Sequence, residues 1–439
     1  MSFAAEPVGE SWEAGATTPT TALADWPRFV AAWMERVRTD RVLAGLGTRS
    51  CVTFAVRCGH ERVWVRMRDG GVAEHGLGTG EPSPADFELV APSEVWQRFW
   101  ACVPPAPYHS VYGLAMRVPD FRVEGAELSF AQHAHIVGRV LALGRRPSAS
   151  EGALAPDDLD GVAGRYVSLE LSDGASRIYV EEAGSGRDLL LLHTAGSDSR
   201  QYHGLLADRR LRDEWHVVAF DLPCHGRSTP PSDLAAEGEW CLTTDRYVET
   251  IRGVVAALGL RRPVVVGCSM GGLICLELAW RHPDEFAGVI ACEASAQVVG
   301  RKVAWAKDPR VNQSLFVPEW IDGLMSPTAP ARRRADVRWA YSQGAFGVFY
   351  GDIEFYSGDW DARDRVATID TARCPVHMLT GEYDYSCTPE MSRRTANVIP
   401  GATFQEMPGL GHFPMAEDPQ RFLGYLQPLL ASLSPREAG

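Results

Sequence analysis

The 439-residue chain is 45% hydrophobic and 23% charged and carries a formal net charge of −13 at neutral pH. Its length exceeds what one ordinary core fills, so two domains are expected, and the composition is that of a globular protein rather than a fibrous or disordered one. The excess of acid leaves no basic stripe to neutralise phosphates, which excludes a nucleic-acid-binding surface; the one arginine run, Arg332-Arg333-Arg334, reads as a solvated helix face.

Residues 1–22 are rich in Ala, Thr, Pro, Gly and Glu without periodicity and are expected to be disordered. They lack the apolar core of a secretion signal, and no stretch of the chain approaches the length of a membrane span, so a cytoplasmic location is the expectation. Asp25 then caps a helix, with Pro27 in its first turn and Phe29, Trp33 and Val37 on one face. Two alternating runs, Val52–Val56 and Val63–Met67, followed by an Asp69-Gly70 turn, predict an antiparallel meander. Ala85–Ala91 reads as a further strand, Ser93 opens a helix carrying Val95, Trp96, Phe99 and Trp100, and Phe121–Val123 precedes a helix with Phe130, Ile136, Val137, Val140 and Leu141.

This order of helix, strands, helix, strand and helix resembles the sterol-carrier-protein-2-like fold, on WVRMRDGGV (64–72), ADFELVAPSEVWQRFW (85–100) and FRVEGAELSFAQH (121–133). The resemblance implies a smaller α+β domain over residues 23–145 with an apolar groove that binds lipid or aids dimer contacts; a packing domain with no ligand of its own is the alternative. The two tryptophan-bearing helices are the basis for expecting a homodimer. Ten cysteines occur without any C-x-x-C pair, and Cys51, Cys268, Cys292 and Cys374 lie in or beside apolar strand-like runs, where cysteine acts as a small hydrophobe. His133 and His135, two apart on a predicted helix, point in different directions, so no metal site is expected.

Residues 146–163 have the polar, Pro/Gly/Ser/Asp-rich composition of an interdomain linker. From residue 164 onward, short apolar runs alternate with helical segments: Ser176–Glu181, Asp188–His193, His216–Asp221, Pro263–Val266, Ala287–Cys292, Pro375–Thr380 and Thr403–Met407 as strands, with helices such as Tyr247–Leu258 and Leu273–Trp280 between them. That alternation predicts a mostly parallel, doubly wound sheet with function at the carboxyl ends of its strands.

Gly267-Cys268-Ser269-Met270-Gly271 is a G-x-S-x-G pentapeptide between strand and helix, the setting that holds a serine hydroxyl in a strained turn above a sheet edge. A serine needs a base to become a nucleophile at neutral pH, and His412, in PGLGHFPMAEDP (408–419), has the right place in chain order. The carboxylate that orients the base has three candidates: Asp384 in LTGEYDYSCTPE (379–390), taken first, Glu293 in VIACEAS (289–295), and Glu382. Backbone donors for an oxyanion are expected at Met270 and at Ala195 in HTAGSDSRQY (193–202), with His193 a structural hydrogen-bonder.

LLLLHTAG, VVAFDLPCHGRS, VVVGCSMGG, LTGEYDYSCTPE and GLGHFPMAEDP together resemble, in order, the motifs of the α/β-hydrolase superfamily over roughly residues 165–435. The resemblance implies an α/β-hydrolase fold with a helical cap inserted at about 296–365, a Ser-acid-His triad and no cofactor. His193-Thr194 departs from the family's usual His-Gly pair, and a serine at 269 argues against the dehalogenases and epoxide hydrolases of this fold, which carry aspartate there. The insertion is aromatic, and Trp320, Phe346 and Tyr350 are expected, with Glu293 if it is not the acid, to line a substrate pocket. The expected activity is a serine hydrolase acting on an ester or lactone of a hydrophobic small molecule. Hydrolysis of a carbon–carbon bond with the same triad, acyl transfer to an alcohol other than water, and a lipid carrier on a hydrolase scaffold are the alternatives.

Overall fold

A computed structural model describes residue 23 and residues 25–78, 85–145 and 155–433. The expected disorder of residues 1–22 lies outside these, as do residues 146–154 of the expected linker. The chain forms two compact units, one of residues 1–152 with 303–328 and one of residues 153–302 with 329–439.

In the first unit, the helix Trp26–Thr39 starts where the Asp25 carboxylate accepts the Arg28 amide, and it buries Trp26, Val30, Trp33, Met34 and Val37. Five strands follow: β1 (Cys51–Cys58), β2 (Glu61–Arg68), β3 (Gly71–Leu77), β4 (Phe87–Ala91) and β5 (Arg122–Gly125), in the order β3-β2-β1-β4-β5. The meander β1-β2-β3 is antiparallel as its alternation predicts, while β4 returns parallel to β1. A short helix at Val111–Arg117, absent from the sequence reading, precedes β5. The helix Glu127–Ala142 covers the sheet, and the Val140 carbonyl accepts the Trp33 indole N–H at 2.6 Å.

Residues 303–328, expected in the cap, fold with this first unit. Their helix, Gln313–Asp322, packs on Glu127–Ala142, and Trp320 stacks on Tyr112 with ring centroids 5.5 Å apart. The segment's aromatic residues supply core to the α+β unit, which is the physical reason it leaves the insertion around it.

The second unit is an eight-stranded sheet: β6 (Ala163–Leu171), β7 (Gly174–Ala183), β8 (Arg187–Leu192), β9 (Trp215–Phe220), β10 (Val264–Cys268), β11 (Gly288–Cys292), β12 (Val376–Gly381) and β13 (Thr403–Met407). The order is β13-β12-β11-β10-β8-β9-β7-β6; the strands from β8 onward run parallel, and β7 pairs antiparallel to both β6 and β9. Strand β6 was not expected, although Val167, Leu169 and Leu171 alternate inward on it. Central β10 lies between β8 and β11, with Val264–Gly267 in register with Leu189–Leu192 and with Gly288–Ala291. Strands buried on both faces read as continuous apolar runs, which is why LLLL and VVV mark the middle of the sheet. Among the described residues no helix is long and apolar enough to cross a membrane.

Candidate active site

Strand β10 ends at Cys268, and the chain turns at once into the helix Met270–Arg281. Ser269 sits on that turn at φ 58°, ψ −118°, a conformation that L-residues adopt only when their surroundings hold them there. The glycines either side make the turn sterically feasible. A Cβ on Gly267 would come within 1.9 Å of the Gly271 carbonyl oxygen, and one on Gly271 within 2.6 Å of the Leu192 oxygen. The serine therefore stands at the carboxyl edge of the sheet, at the positive end of a helix, only 4% exposed.

His412 lies on the loop after β13, 3% exposed, and the Cys268 thiol donates to its carbonyl at 3.1 Å, so the loop abuts the residue preceding the serine. The glycines at 409 and 411 suggest a loop free to swing, but the structure pins it. Buried Glu417 accepts the amides of Gly411 (2.9 Å) and Phe413 (3.0 Å), one on each side of the histidine, and Glu382 accepts the Gly409 amide at 2.8 Å. Glu382 thus holds the loop and is not the partner of the imidazole.

That partner is Asp384, after β12: its Oδ2 lies 2.7 Å from His412 Nδ1, and the carboxylate is wholly buried. Its Oδ1 accepts the amides of Ser386 (2.7 Å) and Cys387 (3.2 Å), which fix its orientation. Burial pushes this carboxyl up, but the His412 charge and hydrogen bond, with contacts from Glu293 and the Ser386 amide, outweigh it and hold it below the usual range. With Nδ1 facing the carboxylate, the other ring nitrogen is left for proton transfer.

Glu293, the rival acid, follows β11, is also fully buried and also has positive φ (53°). The imidazole nitrogen bonds Asp384 instead, and both oxygens of Glu293 accept the Gly381 amide, at 3.0 and 3.2 Å. Burial, then the neighbouring Asp384 charge, drive its carboxyl well above the ordinary glutamate value. Glu293, Asp384 and His412 bring potential ligand atoms within 4.8 Å of one another. Backbone amides, the imidazole and the contact between the two carboxyls already partner the facing oxygens, so hydrogen bonding accounts for the cluster.

The loop after β8 carries the second expected oxyanion donor. Its amides are mostly spent: Thr194 N–H donates to Gln201 Oε1 (3.0 Å), Gly196 N–H to Asp352 (2.7 Å) and Ser197 N–H to the Thr194 carbonyl (3.2 Å). The Ala195 amide, between them, has no acceptor among the described residues, and neither has that of Met270. His193 is a fixed neutral spacer. Its Nδ1–H donates to the Thr194 carbonyl, Nε2 accepts the Leu222 amide, and burial together with nearby His225 pushes it down to about 4.

Two residues the sequence reading did not assign to the site hold this loop from the insertion. Tyr341 places its hydroxyl 2.5 Å from Thr194 Oγ1 and its ring 5.8 Å from that of Phe413. Asp352, fully buried, accepts from Gly196, from His225 Nε2 and from the Trp240 indole, each at 2.7 Å. No local motif marks Asp352, whose partners lie more than a hundred residues away in sequence. Of the expected pocket residues, Trp320 belongs to the core of the first unit, Phe346 is 61% exposed, and Tyr350 is half-buried beside Glu354.

The model of the family described as "Alpha/beta hydrolase family" matches residues 189–424. A 2-hydroxymuconate semialdehyde hydrolase of Pseudomonas putida is 24% identical over 274 residues, 60% of this chain and 94% of that one. A thermophilic esterase from Thermogutta terrifontis shares the fold with a TM-score of 0.53 at 22% identity, covering 62% of this chain and 100% of that chain. The enol-lactonase from Burkholderia xenovorans LB400 does so with a TM-score of 0.53 at 20% identity, covering 60% and 100%.

Proposed function

Because the chain belongs to the alpha/beta hydrolase family, we propose that it is a serine hydrolase cleaving an ester or lactone of a hydrophobic small molecule. The observation that carries this reading is the buried pair of Asp384 and His412, 2.7 Å apart, with His412 on the loop that abuts the strained Ser269 turn. Ser269 Oγ attacks the acyl carbonyl as the imidazole takes its proton, and Asp384 holds the tautomer and stabilises the imidazolium. The amides of Met270 and Ala195 receive the developing oxyanion. His412 then returns the proton to the leaving oxygen, and water enters by the reverse route to release the acid. In a lactone both products remain one molecule, a hydroxy acid.

The Pseudomonas putida relative, named for hydrolysis of a semialdehyde, favours a second reading in which the same residues cleave a carbon–carbon bond. Incubation with p-nitrophenyl esters, aromatic lactones and a vinylogous diketone, followed by product analysis, separates the two. Release of an acid from the esters or lactones alone supports the first reading, and carbon–carbon cleavage without ester turnover overturns it. For the first unit, the sterol-carrier-like reading is a lipid-binding or dimer-forming module. Sedimentation as a monomer, with no uptake of a fluorescent fatty acid, refutes both roles.

A further inference from the structure

We propose that Glu293 works as a neutral carboxylic acid that donates its proton to Asp384 and so sets how strongly Asp384 draws on the base, His412. The inference rests on His412 being the base in the function proposed above.

Asp384 faces the imidazole and two backbone amides, of Ser386 and Cys387. Glu293, wholly buried, faces one amide, that of Gly381, and its carboxyl is in hydrogen-bond contact with that of Asp384. A hydrogen bond between two carboxyl groups requires a proton on one of them. The group with three donors keeps its charge, and the group with one keeps the proton. The remaining ionisable neighbours reinforce that order. Glu417 adds negative charge near Glu293, and burial holds the thiols of Cys268, Cys292 and Cys387 neutral. The directions found for the two acids, Glu293 up and Asp384 down, agree.

Glu293 is held at φ 53° with its own amide donating to the Leu379 carbonyl at 2.9 Å, so strained backbone aims its side chain at the turn between β12 and Asp384. A proton donated from this side withdraws charge from Asp384 and lessens its pull on the imidazole. Glu293 is a positioning residue on this account, one step removed from the reacting atoms.

The test compares pH profiles of kcat/KM for p-nitrophenyl ester hydrolysis by the full chain and by Glu293→Gln and Glu293→Ala. A glutamine can donate to Asp384 and accept from Gly381, so Glu293→Gln keeps the acid limb of the profile in place and kcat/KM within about threefold. Glu293→Ala removes the donor, concentrates charge on Asp384 and moves the acid limb up by about one pH unit. A downward move in Glu293→Gln means the native group is ionised and overturns the proposal, as does an unmoved limb in both variants. If Glu293→Ala does not fold, the Glu293→Gln profile and an infrared difference spectrum decide. The wild-type protein minus Glu293→Gln shows the carbonyl band of a protonated carboxyl at neutral pH, and absence of that band refutes the neutral acid. The spectrum needs no turnover, so it stands apart from failure of the hydrolase reading.

Discussion

Asp352 offers the sharpest energetic test of how the insertion holds the loop that supplies an oxyanion donor. Its buried carboxylate accepts three donors at 2.7 Å each, from Gly196, His225 and Trp240. Truncation in Asp352→Ala strands all three, at about 1–3 kcal/mol for each buried unsatisfied group. His225 escapes part of that cost. Burial lowers its proton affinity, and only the Asp352 charge and bond, helped by the Pro223 carbonyl and by Asp221, raise the imidazole above its ordinary value. Without the carboxylate it sheds the proton and keeps its Nδ1 bond to Pro223. The expected loss is therefore about 3–5 kcal/mol, the range for breaking a buried pair, and about half that for Asp352→Asn, which retains one acceptor oxygen. The raised imidazole also fixes the sign with pH. Its contribution is complete below the ordinary histidine range and is lost as pH rises through its folded value, so the gap between wild type and Asp352→Ala narrows from pH 6 to pH 9. Urea denaturation across that range measures both, and kcat/KM should fall at least about tenfold as the Gly196 anchor is lost. A loss under about 1 kcal/mol, or a gap that widens with pH, refutes the reasoning.

Replacing Asp384 with Asn should cut kcat by about 10⁴ with little change in fold, because the amide presents the wrong tautomer to His412; circular dichroism alongside steady-state kinetics checks it. Glu417→Ala leaves the Gly411 and Phe413 amides without their acceptor and should cost about 2–4 kcal/mol while lowering kcat more than it changes KM; an unchanged kcat means the clamp does not position His412. Trp320→Ala removes a ring buried against Tyr112 and should cost about 3–5 kcal/mol, read as a lowered urea midpoint.

Local chemistry made much of the second unit legible in the sequence. The serine turn announces itself because strand, close-packed glycines and helix are adjacent in the chain, and the β8 and β10 cores read as unbroken apolar runs. Chain order alone left Asp384 and Glu293 as rivals. Both follow neighbouring parallel strands and reach the same place, and the contact of the imidazole with Asp384 and the donors around each carboxyl separate them. Strand β6 carries a weak sequence signal because one of its faces is exposed and its alternation sits beside a polar linker. Asp352 and the capture of residues 303–328 by the first unit depend on contacts between segments far apart in the chain, for which an aromatic-rich insertion gives no address. The exposure of Phe346 has the same origin: hydrophobicity marks a residue for burial without saying where.

The most direct test of the central claim is peptide mapping after treatment of the full chain with a fluorophosphonate. One covalent adduct is expected, on Ser269, absent from Ser269→Ala together with all ester or lactone turnover. An adduct on another residue, or wild-type turnover persisting in Ser269→Ala, would contradict it.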